Sequence, residues 1–135
     1  VDVGHDQLHA SLRGRPDVVM LEGVNAREIE TAQVPEPIDL LVCDISFVSV
    51  TKVLAAPLAL CRPGAEGVLL IKPQFEVGRA HIGKGGIVGD ADAIARAERD
   101  VVAFMAAEGW RHVLSVPSPI AGGDGNRETV SVFRR

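Results

Sequence analysis

The sequence is poor in aromatic side chains: they make up 4% of its 135 residues, with one tryptophan, four phenylalanines and no tyrosine. Its core must therefore come from aliphatic packing, and hydrophobic residues at 47% are enough to build one. Cysteine is nearly absent as well. Cys43 and Cys61 form no C-x-x-C pair and have no histidines clustered beside them, which argues against a disulfide framework or a zinc site. Both read as small buried hydrophobes. No apolar run approaches the roughly 18 residues that span a bilayer, and no signal-peptide pattern opens the chain. A basic excess is also missing. The net charge is −4, so the chain lacks the electrostatic footprint of an autonomous nucleic-acid-binding module. An enzyme whose substrate is delivered by another domain stays compatible with that charge. No repeat or low-complexity tract appears. These absences leave one soluble cytoplasmic domain as the expectation.

What is present is an alternation of short apolar runs and helical patterns. Val1-Asp-Val3 reads as the tail of a strand. Asp6 to Leu12 can form a short helix capped by Asp6 and ended by Gly14 and Pro16. Val18-Val-Met-Leu21 reads as a buried strand, Asn25 to Glu30 as a helical turn, and Ile38 to Cys43 as a second buried strand. Ser49 to Leu60 is expected as one helix kinked at Pro57, with Pro63-Gly64 as its stop. Val68 to Ile71 follows as a strand. Gln74 to Gly89 has no periodicity and five glycines, so it reads as a long loop. Asp90 then caps the clearest helix, in which Ile94, Ala97, Val101 and Phe104/Met105 recur at helical steps until Gly109. His112 to Val116 and Thr129 to Phe133 are two last strands with no helix between them, hence antiparallel neighbours. Apolar strands alternating with helices imply a doubly wound, mostly parallel α/β sheet covered on both faces.

In such sheets ligands sit beyond the carboxyl ends of the strands. Asp2, Glu22, Asp44 and Lys72 each stand at the end of an apolar run. Glu128 precedes the last strand and reaches the same rim if that strand is antiparallel. Carboxylates beside a lysine hold it in place, and desolvation can tune such an amine toward base chemistry.

Gly78-Arg-Ala-His-Ile-Gly-Lys-Gly85 nearly spells the phosphate-binding loop G-x-x-x-x-G-K-[ST]. That loop needs a strand directly before it, a helix directly after it, and a hydroxyl for magnesium. Here the strand ends back at Ile71, the helix starts near Asp90, and Gly85 replaces the hydroxyl. Nucleotide hydrolysis is excluded.

Three blocks, DLLVCDISFVSVTKVL, LLIKPQFEVGRAHIGKGGIVGD and SPIAGGDGNRETVSVF, together with VDVGHDQLHASLR and LEGVNAR upstream, resemble the TlyA (hemolysin-A-like) branch of the FtsJ-type RNA methyltransferases. The resemblance runs over nearly the whole chain. It implies a class I S-adenosylmethionine (SAM) methyltransferase fold and methylation of ribose 2'-hydroxyls in ribosomal RNA or a ribosomal subunit. Family members carry a Lys-Asp-Lys-Glu set, whose Asp falls on Asp44, second Lys on Lys72 and Glu on Glu128. Asp2 would accept the ribose hydroxyls of SAM, Asn25 would meet the adenine edge, Asp44 would lie near the methyl group, and Glu22 is a further cofactor candidate. Arg79 and Lys84 would meet RNA phosphates. The family's first lysine, its glycine-rich cofactor loop and first strand, and its small N-terminal RNA-binding domain are expected upstream of Val1. Residues 1–135 then form a partial catalytic domain, with weak SAM affinity and a gap in the sheet closed by direct strand pairing or by a homodimer.

Three other readings compete. Asp44-Ile-Ser-Phe47 occupies the slot of the [DN]-P-P-[YF] motif of amino-group methyltransferases, yet lacks its prolines. A non-catalytic RNA-binding or ribosome-assembly module could keep the fold alone. A pore-forming hemolysin, which the branch's name suggests, would need a membrane-active segment that the sequence does not display.

Overall fold

The computed structural model describes all 135 residues. Its centre is a four-stranded sheet of β1 (Ile38–Cys43), β2 (Cys61–Ile71), β3 (Arg111–Pro117) and β4 (Thr129–Arg134). The spatial order is β1-β2-β4-β3. β1 and β2 run parallel, while β4 is antiparallel to both β2 and β3. The sheet is therefore mixed, with β1–β2 its parallel part; a single parallel bridge between Asp2 and Glu22 stands apart from it.

The helices are α1 (Ala55–Ala59), α2 (Pro73–Glu76) and α3 (Ala91–Ala107). Asp90 caps α3 as its sequence predicts, its Oδ1 accepting from the amides of Asp92 and Ala93, each at 3.0 Å. The buried positions Ala93, Ala97, Val101 and Met105 fall at four-residue steps along one stripe. Val101 and Met105 of that stripe join Leu69, Ile71 and Phe133 of the sheet, Leu58 of α1 and Trp110 in one hydrophobic core.

Several local expectations fail, each for an identifiable reason. Val18–Leu21 forms no strand: Val19 is 79% exposed, and pairing is confined to Asp2 against Glu22. An apolar run becomes a buried strand only where neighbours satisfy its ladder groups, and no named strand flanks this one. Asp6 caps nothing. It sits in the left-handed region at φ 57, and the amides of Asp6, Gln7 and Leu8 all donate to the Glu22 carboxylate instead. A one-turn 3-10 helix begins only after His9. Ser49–Leu60 divides into a 3-10 turn, Val50–Lys52, and α1, with Pro57 in the first turn of α1, where its missing N–H has no partner to lose. Pro63-Gly64 is no helix stop. It lies in a bulge of β2, where Ile38 faces Cys61 but Leu40 already faces Glu66. Gly64 at φ 82 makes that bulge possible. Gln74–Gly89 is less irregular than expected, holding most of α2 and two 3-10 turns, Arg79–His81 and Lys84–Gly86.

The sheet is not covered on both faces. Leu40 and Val42 on β1 are 55% and 71% exposed, opposite the buried Leu41 and Cys43. They border an apolar groove of about 310 Å³ shared with Ile29 and Val34. No helix of the chain is long and apolar enough to cross a membrane.

Candidate active site

Parallel pairing in register, Cys43 beside Leu69, delivers the ends of β1 and β2 to one rim. Asp44 and Lys72 leave the sheet there. Lys72 Nζ lies 2.7 Å from Asp44 Oδ1 and donates to Ser46 Oγ at 3.1 Å. The pair is asymmetric: the lysine side chain is 14% exposed and the aspartate 69%. The amine is thus clamped inside the wall, while the carboxylate reaches solvent.

β4 completes the rim. Its antiparallel register sets Thr129 opposite Ile71, so Glu128 stands across from Lys72. Glu128 is buried, but it makes no ion pair with Lys72 within 4.0 Å. Its carboxylate presses instead on the turn before β4: a Cβ on Gly122 would lie 2.7 Å from Glu128 Oε1 and 3.2 Å from Asp124 Oδ1. Asp124 in turn accepts from Gln74 Nε2 at 3.0 Å, tying that turn to α2 beyond Lys72. The Asn126 amide leads the causes that hold the Asp124 carboxyl below its usual range. Gln74 is buried, and its Oε1 has no hydrogen-bond partner.

The glycine-rich segment joins the same assembly through Asn126, which is 2% exposed. Asn126 Oδ1 accepts from Val88 N at 3.0 Å, and its Nδ2 donates to the carbonyl of Gly86 at 2.9 Å. Arg79 and Lys84 are exposed on this segment and form no ion pair.

Asp2, Asn25 and Asp44 line one open cleft of about 730 Å³, together with Ser46 and Phe47. One Asp2 oxygen accepts from Gly4 N, and Asn25 Oδ1 accepts from Arg27 N. Glu22 does not line this cleft. Its oxygens serve the three amides of the Asp6–Leu8 segment, which hold its carboxyl below the usual range, led by Leu8. It borders a smaller depression of about 200 Å³ next door.

Phe47 is 91% exposed, at φ 67, with its ring 5.4 Å from that of Phe75. A bulky residue in the left-handed region costs of order 1–3 kcal/mol and persists only where its surroundings dictate it. Beneath the rim, burial pushes the Cys43 thiol up to about 11, which makes it inert. No group of three or more His, Cys, Asp or Glu side chains converges to hold a metal ion.

Sequence reasoning missed Ser46, Gln74, Glu76, Asp124 and Asn126. Only Ser46 had a signal, standing two residues after Asp44 at a strand end. The rest act through contacts 26 to 50 residues away in the chain.

A family model described as FtsJ-like methyltransferase matches residues 1–135. A curated relative from Mycobacterium tuberculosis, named 16S/23S rRNA (cytidine-2'-O)-methyltransferase TlyA, is 42% identical over 94% of this chain and 47% of its own length. One from Campylobacter jejuni, named 23S rRNA (cytidine-2'-O)-methyltransferase TlyA, is 37% identical over 95% of this chain and 49% of its own. Hemolysin A of Brachyspira hyodysenteriae is 34% identical over 98% of this chain and 56% of its own. A crystal structure from Lactococcus lactis that carries a hemolysin name superposes with a TM-score of 0.92 at 30% identity, over 98% of this chain and 64% of that one. The chain spans about half the length of the curated relatives it matches.

Proposed function

The chain belongs to the FtsJ-like methyltransferase family, and on that premise we propose that its protein transfers a methyl group from SAM to a ribose 2'-hydroxyl of ribosomal RNA in the cytoplasm. The observation that carries this reading is Lys72, held by Asp44 and Ser46 at the edge of a cleft that Asp44 itself lines. The relatives named for cytidine 2'-O-methylation support the substrate class.

The cleft fits the cofactor. Its volume, about 730 Å³, lies in the range of small-molecule sites, and its wall offers carboxylate and amide acceptors. Asp2 and Asn25 would hold SAM there, and Asp44 would border its reactive end. Glu22 supports this wall from behind by fixing the Asp6–Leu8 segment. When bound, SAM supplies a methyl group already activated on a sulfonium.

A ribose hydroxyl is a weak nucleophile, so the chain's task is to orient it and manage its proton. Lys72 either accepts that proton or, as the ammonium paired with Asp44, steadies the oxygen while charge develops. Asp44 and Ser46 fix the direction of its N–H groups. Glu128, across the rim, receives a hydrogen bond from the substrate ribose. The exposed Arg79 and Lys84 meet phosphates locally, since a chain of net charge −4 offers no broad basic face.

The test is chemical. Ribosomal RNA methylated by the full-length protein is digested to nucleosides and separated, and the methyl group is expected on ribose. A methyl group on a base would transfer the case to the amino-methyltransferase reading of Asp44-Ile-Ser-Phe47.

A further inference from the structure

Glu76 lies outside every role assigned so far. It ends α2, five residues before the exposed turn at His81, and its side chain points back beneath the rim. Its Oε2 accepts from Ser49 Oγ at 2.6 Å and its Oε1 from Val50 N at 2.9 Å. The Ser49 hydroxyl also receives the amide of Thr51, so both residues together close the start of the 3-10 turn Val50–Lys52.

Between β1 and that turn runs Asp44–Val48, which carries the carboxylate partner of Lys72, its hydroxyl partner Ser46, and the strained Phe47. None of the turn and loop backbone hydrogen bonds involves residues 44–48. The segment is held by β1 at one end, by Lys72 and the packing of Ile45 and Phe47 in its middle, and by the Glu76 grip at the other end. We infer that Glu76 is a positioning residue for methyl transfer: its carboxylate fixes Ser49 and Val50, and thereby sets Asp44 and Ser46 against Lys72. The inference rests on the methyltransferase reading above.

Burial raises the Glu76 carboxyl above its ordinary value, and the bonds from Ser49 and Val50 offset this only in part. Desolvation thus works against the ionised form here, so what the position supplies is two acceptor bonds to Ser49 and Val50. The charge that acts on it is Lys52, which favours its ionised form, while Asp44, Lys72 and Glu76 all act on the Cys43 thiol beneath the rim.

Two readouts test this in the full-length protein. The first needs no substrate: the rate at which acetic anhydride labels the Lys72 amine, followed by mass spectrometry in wild type, Glu76→Ala, Glu76→Gln and Ser49→Ala. Loosening the segment should speed Lys72 labelling about threefold or more in Glu76→Ala and Ser49→Ala, on the scale of a weakened ion pair whose carboxylate is solvent-exposed. Glu76→Gln, still able to accept from Val50 and pair with Ser49, should stay near wild type.

The second readout is single-turnover methyl transfer beside SAM affinity by calorimetry, well below each variant's melting temperature. Glu76→Ala should slow transfer about 10- to 100-fold with SAM affinity within about twofold, the scale of a reacting group misplaced by an ångström. Glu76→Gln should restore most of it. A Glu76→Ala protein that transfers at the wild-type rate per folded molecule overturns the inference. So does Lys72 labelling that no variant changes. Should wild type transfer no methyl group to RNA, the functional reading fails, and the labelling arm still decides whether Glu76 positions the pair.

Discussion

Gly122 offers a way to move Glu128 without replacing it. A methyl group added at Gly122 would sit 2.7 Å from Glu128 Oε1, whereas real Cβ atoms essentially never approach another heavy atom under 3.0 Å. The backbone at Gly122 is not left-handed, so alanine fits its conformation; the severe conflict is with the Glu128 carboxylate, and a milder one at 3.2 Å is with Asp124 Oδ1. Glu128 is 7% exposed and cannot swing into water freely. Gly122→Ala should gain about 0.4–1 kcal/mol from a stiffer unfolded chain and lose about 1–3 kcal/mol to overpacking. The net loss of roughly 1 kcal/mol corresponds to a melting temperature lower by about 4 °C. Turnover should fall much further, about 10- to 100-fold, because the proposed mechanism has the displaced group hold the substrate ribose. Gly123→Ala is the control, since nothing lies within 4 Å of its Cβ position. The assay is single-turnover methylation with melting curves for both variants of the full-length protein. Turnover preserved in Gly122→Ala would refute the placement of Glu128 in the reaction.

Lys72→Ala should leave SAM affinity within about twofold and lower turnover about 100-fold, the scale of a lost acid–base group; calorimetry and single-turnover kinetics separate the two, and lost binding with turnover per bound SAM preserved would make Lys72 a cofactor residue. Asn126→Ala strands the amide of Val88 and the carbonyl of Gly86, so stability should drop by about 3 kcal/mol, or roughly 10 °C, in a melting experiment. Glu22 has a folded-state pKa below its unfolded value, so its stabilisation is complete above the ordinary glutamate range and is lost as pH falls through the lowered value. Melting temperatures of wild type and Glu22→Gln should therefore differ at pH 7 and converge in acid; a gap that persists at pH 2 would show that the carboxylate's charge is not what matters.

What the sequence disclosed follows from where each signal resides. β1, β4 and the Val68–Ile71 end of β2 have compact apolar runs, and α3 has a cap, a stripe and a stop, so local pattern sufficed there; the Cys61–Gly67 part of β2 did not show. Asp44 and Lys72 were legible because each ends such a run, and parallel neighbours bring their carboxyl ends together. Val18–Leu21 carries the same local pattern and still forms no strand, because strand formation depends on partners that a four-residue run does not encode. Ser49–Leu60 shows the limit within a helix: Pro57 is a break in an interior and a welcome residue in a first turn, and the sequence leaves open which applies.

The glycine-rich segment shows how a familiar spacing can be separated from its usual chemistry. A phosphate-binding loop works because successive backbone amides stay free and converge on one anion. Here the amide of Gly83 donates to the Ile87 carbonyl, that of Gly86 to the Gly83 carbonyl, and that of Val88 to Asn126. These donors are spent on closing the loop upon itself and on the turn before β4. The glycines therefore serve compactness, letting the segment fold tightly enough for one buried asparagine to grip it from 38 residues away. Arg79 and Lys84 are left outside that knot, exposed and unpaired, on a scaffold whose position relative to Lys72 is fixed through Asn126, Asp124 and Gln74. A spacing that resembles nucleotide chemistry thus closes a loop that is pinned to the turn before β4.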